Sequence, residues 1–94
     1  MADRSKLTDA DIADRLAGVP EWSRAGESIT RTYDAASFLE GIAFVQKVAE
    51  IAEAKDHHPD IDIRYNRITL TLSTHDQGGL TGWDFDVAES VDAL

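Results

Sequence analysis

Three histidines are the side chains of this sequence best suited to chemistry. His57 and His58 lie together in Asp56-His57-His58-Pro59, and His75 lies in Ser73-Thr74-His75-Asp76. There is no other histidine among the 94 residues, and no cysteine. Imidazole gives and takes protons near neutral pH without help from its surroundings. The lack of cysteine removes disulfides, thiolate zinc ligands and thiol nucleophiles together. A three-histidine zinc site is chemically open. However, adjacent histidines rarely both reach one metal, and the usual i, i+2 or i, i+4 ligand spacing is missing. The residue types therefore favour acid–base work over a metal site, and no metal ligand and no cofactor is assigned. The plain alternative is a coincidence of exposed polar residues.

These histidines need elements to position them. Phe38, Ile42, Val45, Ala49 and Ala52 recur at helical spacing, with Leu39 and Val48 beside them, and predict a long helix over about residues 36–55. Asp34 or Ser37 would cap it. Pro59 must end it and biases His58 away from helical dihedrals. Ile61, Ile63 and Tyr65 alternate with Asp62 and Arg64, which predicts a half-buried strand. Asn66-Arg67 reads as a two-residue turn, and Ile68, Leu70 and Leu72 mark a second strand. If the two strands pair, the end of the second returns to the start of the first, just after Pro59. His75 then comes back toward His57 and His58 at one rim of the sheet. The side-chain-free Gly78-Gly79 loop next to it would offer backbone donors and acceptors to a flat ligand.

The rest of the chain completes the layer. Thr8 caps a short helix in which Ile12 and Leu16 face inward, and Gly18-Val19-Pro20 ends it. A segment from Glu21 and a strand over Ser28–Tyr33 form a hairpin around Ala25-Gly26-Glu27. Thr81 opens a final helix, with Asp84 three residues on completing a capping box. Trp83, Val87, Val91 and Leu94 recur along it at helical spacing. The expected fold is α+β, in the order α-β-β-α-β-β-α, with a four-stranded antiparallel sheet and three helices packed on one face. Phe44 and Ile51 lie off the main stripe of the long helix. They suggest either a second packing surface, hence an oligomer, or one wide core face.

Composition narrows the class. Ninety-four residues allow one modest core, so residues 1–94 are read as a single domain. Eighteen acids against nine Lys and Arg give a net charge of −9. That charge repels phosphate backbones and argues against nucleic acid as a partner. No apolar run approaches membrane-spanning length. Residues 1–6 lack the apolar centre of a signal peptide. A cytoplasmic protein is expected.

At the histidines the sequence resembles the pterin-4a-carbinolamine dehydratases. That family carries an acid, three residues and then His-His-Pro, here Glu53-Ala54-Lys55-Asp56-His57-His58-Pro59. It continues with a tyrosine-asparagine turn, here Tyr65-Asn66, and a Leu-Ser/Thr-Thr-His strand end, here Leu72-Ser73-Thr74-His75. Gly79-Leu80-Thr81, the helical Asp84 and the upstream Trp22 also match. The resemblance covers roughly residues 5–94. It implies removal of water from a 4a-hydroxytetrahydropterin to give quinonoid dihydropterin, in tetrahydrobiopterin recycling. It implies His57 and His75 as the acid–base pair and His58 as a catalytic and pterin-binding residue. It implies Glu53, Asp56, Ser73, Thr74, Asp76 and Trp22 as substrate-binding residues, with Trp22 reading equally as a core anchor for the first strand and Asp84 more as a helix-start residue than a catalyst. It also implies a homodimer or homotetramer, with sheets joined edge to edge and long helices packed together. Trp83 stands where the family is usually polar, and reads either as a contact with another subunit or as packing beside the helix start. A binding module without catalysis and a metal-dependent hydrolase are the competing readings.

Overall fold

The computed structural model describes residues 5–94. The reading of a missing leader rests partly on residues 1–4, which lie outside the described residues. Helix α1 (Asp9–Ala17) starts at Thr8, whose hydroxyl accepts the Asp11 N–H at 3.1 Å. Strands β1 (Ser23–Ala25) and β2 (Ser28–Asp34) form a hairpin through Gly26, which takes the left-handed φ of 63° that the turn needs. Helix α2 (Phe38–Lys55) is capped by Ser37, which accepts the Glu40 N–H at 3.1 Å. Strands β3 (Asp60–Arg64) and β4 (Arg67–Leu72) follow, then a 3₁₀ turn (His75–Gln77) and helix α3 (Gly82–Asp92). The predicted element order is the one found. The sheet is antiparallel in the order β1-β2-β4-β3.

Period-two alternation builds the core. Ile29 on β2 and Ile68, Leu70 and Leu72 on β4 are buried, and all lie on one face. They join Ile12, Val48, Phe85, Val87, Ala88 and Val91 from the three helices in one cluster. The opposite face of the same strands carries threonines. Thr32 and Thr69 pair their hydroxyls across it at 3.2 Å.

Four local expectations change. The hairpin turn between β3 and β4 is Tyr65-Asn66, because Arg64 pairs with Arg67; Tyr65 takes φ 53°. Strand β3 is exposed at every position rather than half-buried, because it is the outermost strand. Ile61 and Ile63 lie opposite Leu70 and Ile68, on the core face but at its uncovered edge. The inward face of α2 is Gly41, Val48 and Ala52, supported by Phe44, Val45 and Ile51, while Phe38, Leu39 and Ala49 are exposed. Gly41 is the reason: a Cβ there would lie 3.3 Å from Ile68 Cδ1. The helix approaches the sheet on that line and turns Phe38 and Ala49 away. Phe44 and Ile51 are partly buried against the core, which the wide core face accounts for.

The Gly78-Gly79 loop differs too. Thr74 and Gly79 bond each other's backbone in both directions, at 3.1 and 3.4 Å. A Cβ at Gly79 would lie 2.3 Å from Glu27 Oε2 and 2.7 Å from Lys6 Cε. The Gly79 backbone is spent on the fold rather than offered to a ligand.

Candidate active site

The end of α2 sets where the histidines point. Asp56 takes the left-handed conformation (φ 50°, ψ 43°) just past the last turn. The His57 N–H then donates to Ala52 O at 3.0 Å and the Asp56 N–H to Glu53 O at 3.3 Å, the paired bonds of a Schellman motif. This reversal sends the two adjacent imidazoles into different surroundings. The His57 side chain is only 11% exposed, and that of His58 is 55% exposed.

His57 Nε2 lies 2.5 Å from Asp84 Oδ1. Asp84 is wholly buried at the start of α3. Its other oxygen, Oδ2, accepts the Thr81 N–H at 3.0 Å, completing the capping box, and the Thr74 hydroxyl at 2.9 Å. The Thr74 proton is therefore committed to Asp84, so Thr81 donates in the Thr74–Thr81 hydroxyl pair, at 2.9 Å. A buried carboxylate must be satisfied by donors, and here His57 Nε2–H is one of them. That assigns the tautomer from the network. Nδ1 is then the ring nitrogen not committed to Asp84. With one proton on the ring Nδ1 is a base, and with two it is an acid.

The register of the hairpin brings the remaining pieces to the same end of the sheet. Asp60 pairs with Thr71, so the segment 57–59 and the segment 72–75 leave neighbouring strands side by side. Thr74, the residue before His75, is one hydrogen bond from the carboxylate that holds His57. His75 is exposed and opens the 3₁₀ turn, with Ser73 Oγ 3.5 Å from its Nε2. His58 Nε2 pairs with Glu53 one turn back on α2. Ser73 is half-buried, and Asp56 and Asp76 are exposed.

Two residues expected at the substrate face elsewhere. Thr74 is buried and spends its hydroxyl on Asp84 and Thr81. Trp22 is a core residue whose indole N–H donates to Asp92 Oδ1 at 2.8 Å, at the far end of α3. Conversely, Asp84 does more than start a helix. The signal for it was the capping box, because the acid of such a box has a second oxygen left over for a partner. Trp83 was also underread: its ring stands 5.8 Å from that of His57, at 77°. Among the described residues no group of three or more His, Asp or Glu is arranged to hold a metal ion. Nor is any helix there long and apolar enough to cross a membrane.

Comparison with known proteins identifies the family. The family model for pterin 4 alpha carbinolamine dehydratase matches residues 5–94. A protein from Roseiflexus castenholzii is 53% identical over 88 residues, covering 94% of this chain and 95% of its own. One from Picosynechococcus sp. is 50% identical over 90 residues, covering 96% and 98%. Both carry the provisional name pterin-4-alpha-carbinolamine dehydratase. A crystal structure from Brucella melitensis, described as a transcriptional coactivator/pterin dehydratase, superposes with a TM-score of 0.90 at 32% identity, covering 95% of this chain and 97% of that one. A pterin dehydratase-like protein described as a RuBisCO assembly factor in the α-carboxysome shares the fold, with a TM-score of 0.66 at 22% identity over 78% of this chain and 87% of that one. With the model matching from residue 5 to residue 94 and such relatives covering nearly their full lengths, the chain belongs to the pterin-4a-carbinolamine dehydratase family.

Proposed function

We propose that this chain removes water from a 4a-hydroxytetrahydropterin by histidine acid–base catalysis, regenerating quinonoid dihydropterin for reduction. The C4a–O bond breaks as one imidazolium gives its proton to the leaving oxygen. A second imidazole takes a proton from a ring nitrogen. The products are water and the dihydropterin, and protons balance within the histidine pair. His57, through Nδ1, and His75 are that pair, and His58 binds and orients the pterin, with Glu53 holding its ring. Asp56, Ser73 and Asp76 remain on the rim where they can touch substrate. Thr74 and Asp84 act one step back, as positioning residues.

The observation that carries this reading is the chain from His57 through Asp84 to Thr74, next to His75. One buried carboxylate orients a catalytic-type imidazole and ties it to the segment that bears the second. The test is the decay of a freshly generated 4a-hydroxy species, followed by its absorbance. His57→Ala and His75→Ala should each slow the catalysed rate by about 10²–10⁴-fold. A double variant as fast as the wild type sinks the mechanism.

The competing reading, a binding module, draws support from one feature. Strand β3 leaves its outer edge unpaired, with Ile61 and Ile63 exposed, and Phe38 stacks on the exposed Tyr65 at 6.4 Å nearby. Such edges are usually covered. We assign the edge to a second copy of this chain in a homodimer or homotetramer, in a cytoplasmic setting. Sedimentation of Ile63→Lys should then show a smaller species than the wild type; a wild-type monomer overturns the assignment.

A further inference from the structure

We propose that the Thr81 side chain is a positioning residue for His57, acting through Thr74 and Asp84. The proposal deepens the reading above, and its spectroscopic half stands without it.

Asp84 can orient His57 only if its own carboxylate is held. The terminal torsion of aspartate is broad and roughly two-fold, so a carboxylate gripped loosely can swing and turn its neighbour with it. Here Oδ2 is held from two sides, by the Thr81 N–H at 3.0 Å and the Thr74 hydroxyl at 2.9 Å, and Oδ1 is left to His57. The backbone donor cannot turn away. The Thr74 hydroxyl can, because a hydroxyl rotates to suit its partners. Something must aim it.

Thr81 does so. Its Oγ accepts the Trp83 N–H at 3.2 Å, and the residue is wholly buried. Its own proton therefore needs an acceptor inside the protein, and Thr74 Oγ lies 2.9 Å away. With that donor in place, the Thr74 proton is left to Asp84. Reversing the pair would take a donor from Asp84 and leave the Thr81 proton buried without an acceptor. The order Thr81, Thr74, Asp84, His57 thus runs one way. Hydrogen bonds in such a chain also strengthen one another.

The start of α1 shows what a cap alone requires. Thr8 accepts the Asp11 N–H at 3.1 Å, Asp11 Oδ2 accepts the Thr8 N–H at 3.4 Å, and both residues are exposed. Solvent satisfies the rest of that box. At Thr81 the same motif is buried, and its spare proton and spare carboxylate oxygen both have partners.

The experiment uses the full chain. In the wild type, NMR should show the Thr81 and Thr74 hydroxyl protons protected from exchange, and that of Thr8 lost to exchange. A Thr81 hydroxyl proton that exchanges like that of Thr8 overturns the proposal. Thr81→Val should shift the His57 ring nitrogen resonances and lower kcat about three- to tenfold, the span of one lost hydrogen bond, with KM unchanged. Thr81→Ser should restore both. Thr8→Val, which loses a cap of the same kind, should leave kcat and the His57 signals as they are. A double-mutant cycle separates aiming from capping: in a Thr74→Val protein, Thr81→Val should cost no further kcat. Losses that multiply in full assign the Thr81 hydroxyl to the helix alone and overturn the proposal. Wild-type kcat in a folded Thr81→Val protein does the same. If Thr81→Val does not fold, the wild-type hydroxyl protons still decide. If the wild type turns over no 4a-hydroxytetrahydropterin, the enzyme reading fails. The His57 signals in Thr81→Val then still decide the positioning, and unchanged signals overturn it.

Discussion

Helix α3 carries an aspartate near each end, and the two are built for different purposes. Asp84, in the first turn, accepts from Thr74, Thr81 and His57. Asp92, eight residues or about 12 Å further along, accepts the Trp22 indole N–H and the Arg31 Nη1–H, each at 2.8 Å. The helix dipole favours a negative charge at the first position and opposes it at the second. Asp92 therefore sits beside a permanent cation, Arg31, which never gives up its proton. Asp84 needs no permanent cation. The backbone, a hydroxyl and the helix start satisfy it, and its third partner is an imidazole whose charge can come and go. A fixed partner makes a structural joint, and a titratable one leaves room for proton transfer.

Breaking Asp84 should have the largest effect. Asp84→Ala removes a helix cap and strands two buried donors, at a cost of about 3–5 kcal/mol. In a domain of this size that lowers Tm by well over 10 °C. It also releases His57, and losing the carboxylate that orients a catalytic imidazole costs up to about 10⁴-fold in kcat. Denaturant melts and turnover on the surviving folded fraction would separate the two losses. Asp92→Ala should cost about 2–3 kcal/mol, from the stranded Trp22 and Arg31 donors, with kcat unchanged at temperatures where the protein stays folded. A comparable loss of kcat in Asp92→Ala would erase the distinction between the two ends.

Two smaller substitutions sharpen the contrast at the end of α2. Asp56 holds the left-handed position that glycine occupies without steric cost. Asp56→Gly should change stability by no more than about 1 kcal/mol and leave the His57–Asp84 bond intact, as thermal melts and the His57 ring resonances would report. Glu53→Gln should do least. Its pair with His58 is exposed on both sides, and such pairs contribute about 0–1 kcal/mol. Any consequence should appear in KM, through His58, and not in the melting curve.

The parts of this architecture that depend on neighbours in sequence were legible in advance. The cap at Thr8, the capping box at Thr81, the stop at Pro59 and the alternation of Ile68, Leu70 and Leu72 each follow from local chemistry, and they suffice for the element order. Antiparallel pairing alone brought the segment of His75 back beside that of His57 and His58. What stayed hidden depends on contacts between distant segments. The buried face of α2 could not be read from its apolar residues, because Gly41 decides how the helix meets Ile68. The hairpin slipped by one residue because Tyr65, an unusual residue for positive φ, takes a turn position. The surroundings of the two tryptophans stayed hidden for the same reason: Trp22 meets Asp92 across 70 residues, and Trp83 meets His57, 26 positions upstream.

One consequence follows from the double duty of Asp84. The carboxylate that begins α3 is also the one that holds His57, so fraying of that first turn and disassembly of the proposed histidine site are a single event. The proposed chemistry would then switch off before the domain melts, at whatever temperature the Thr81 amide first exchanges freely with solvent. Hydrogen exchange at that one amide would thus mark the upper limit of working conditions more faithfully than any global melting curve.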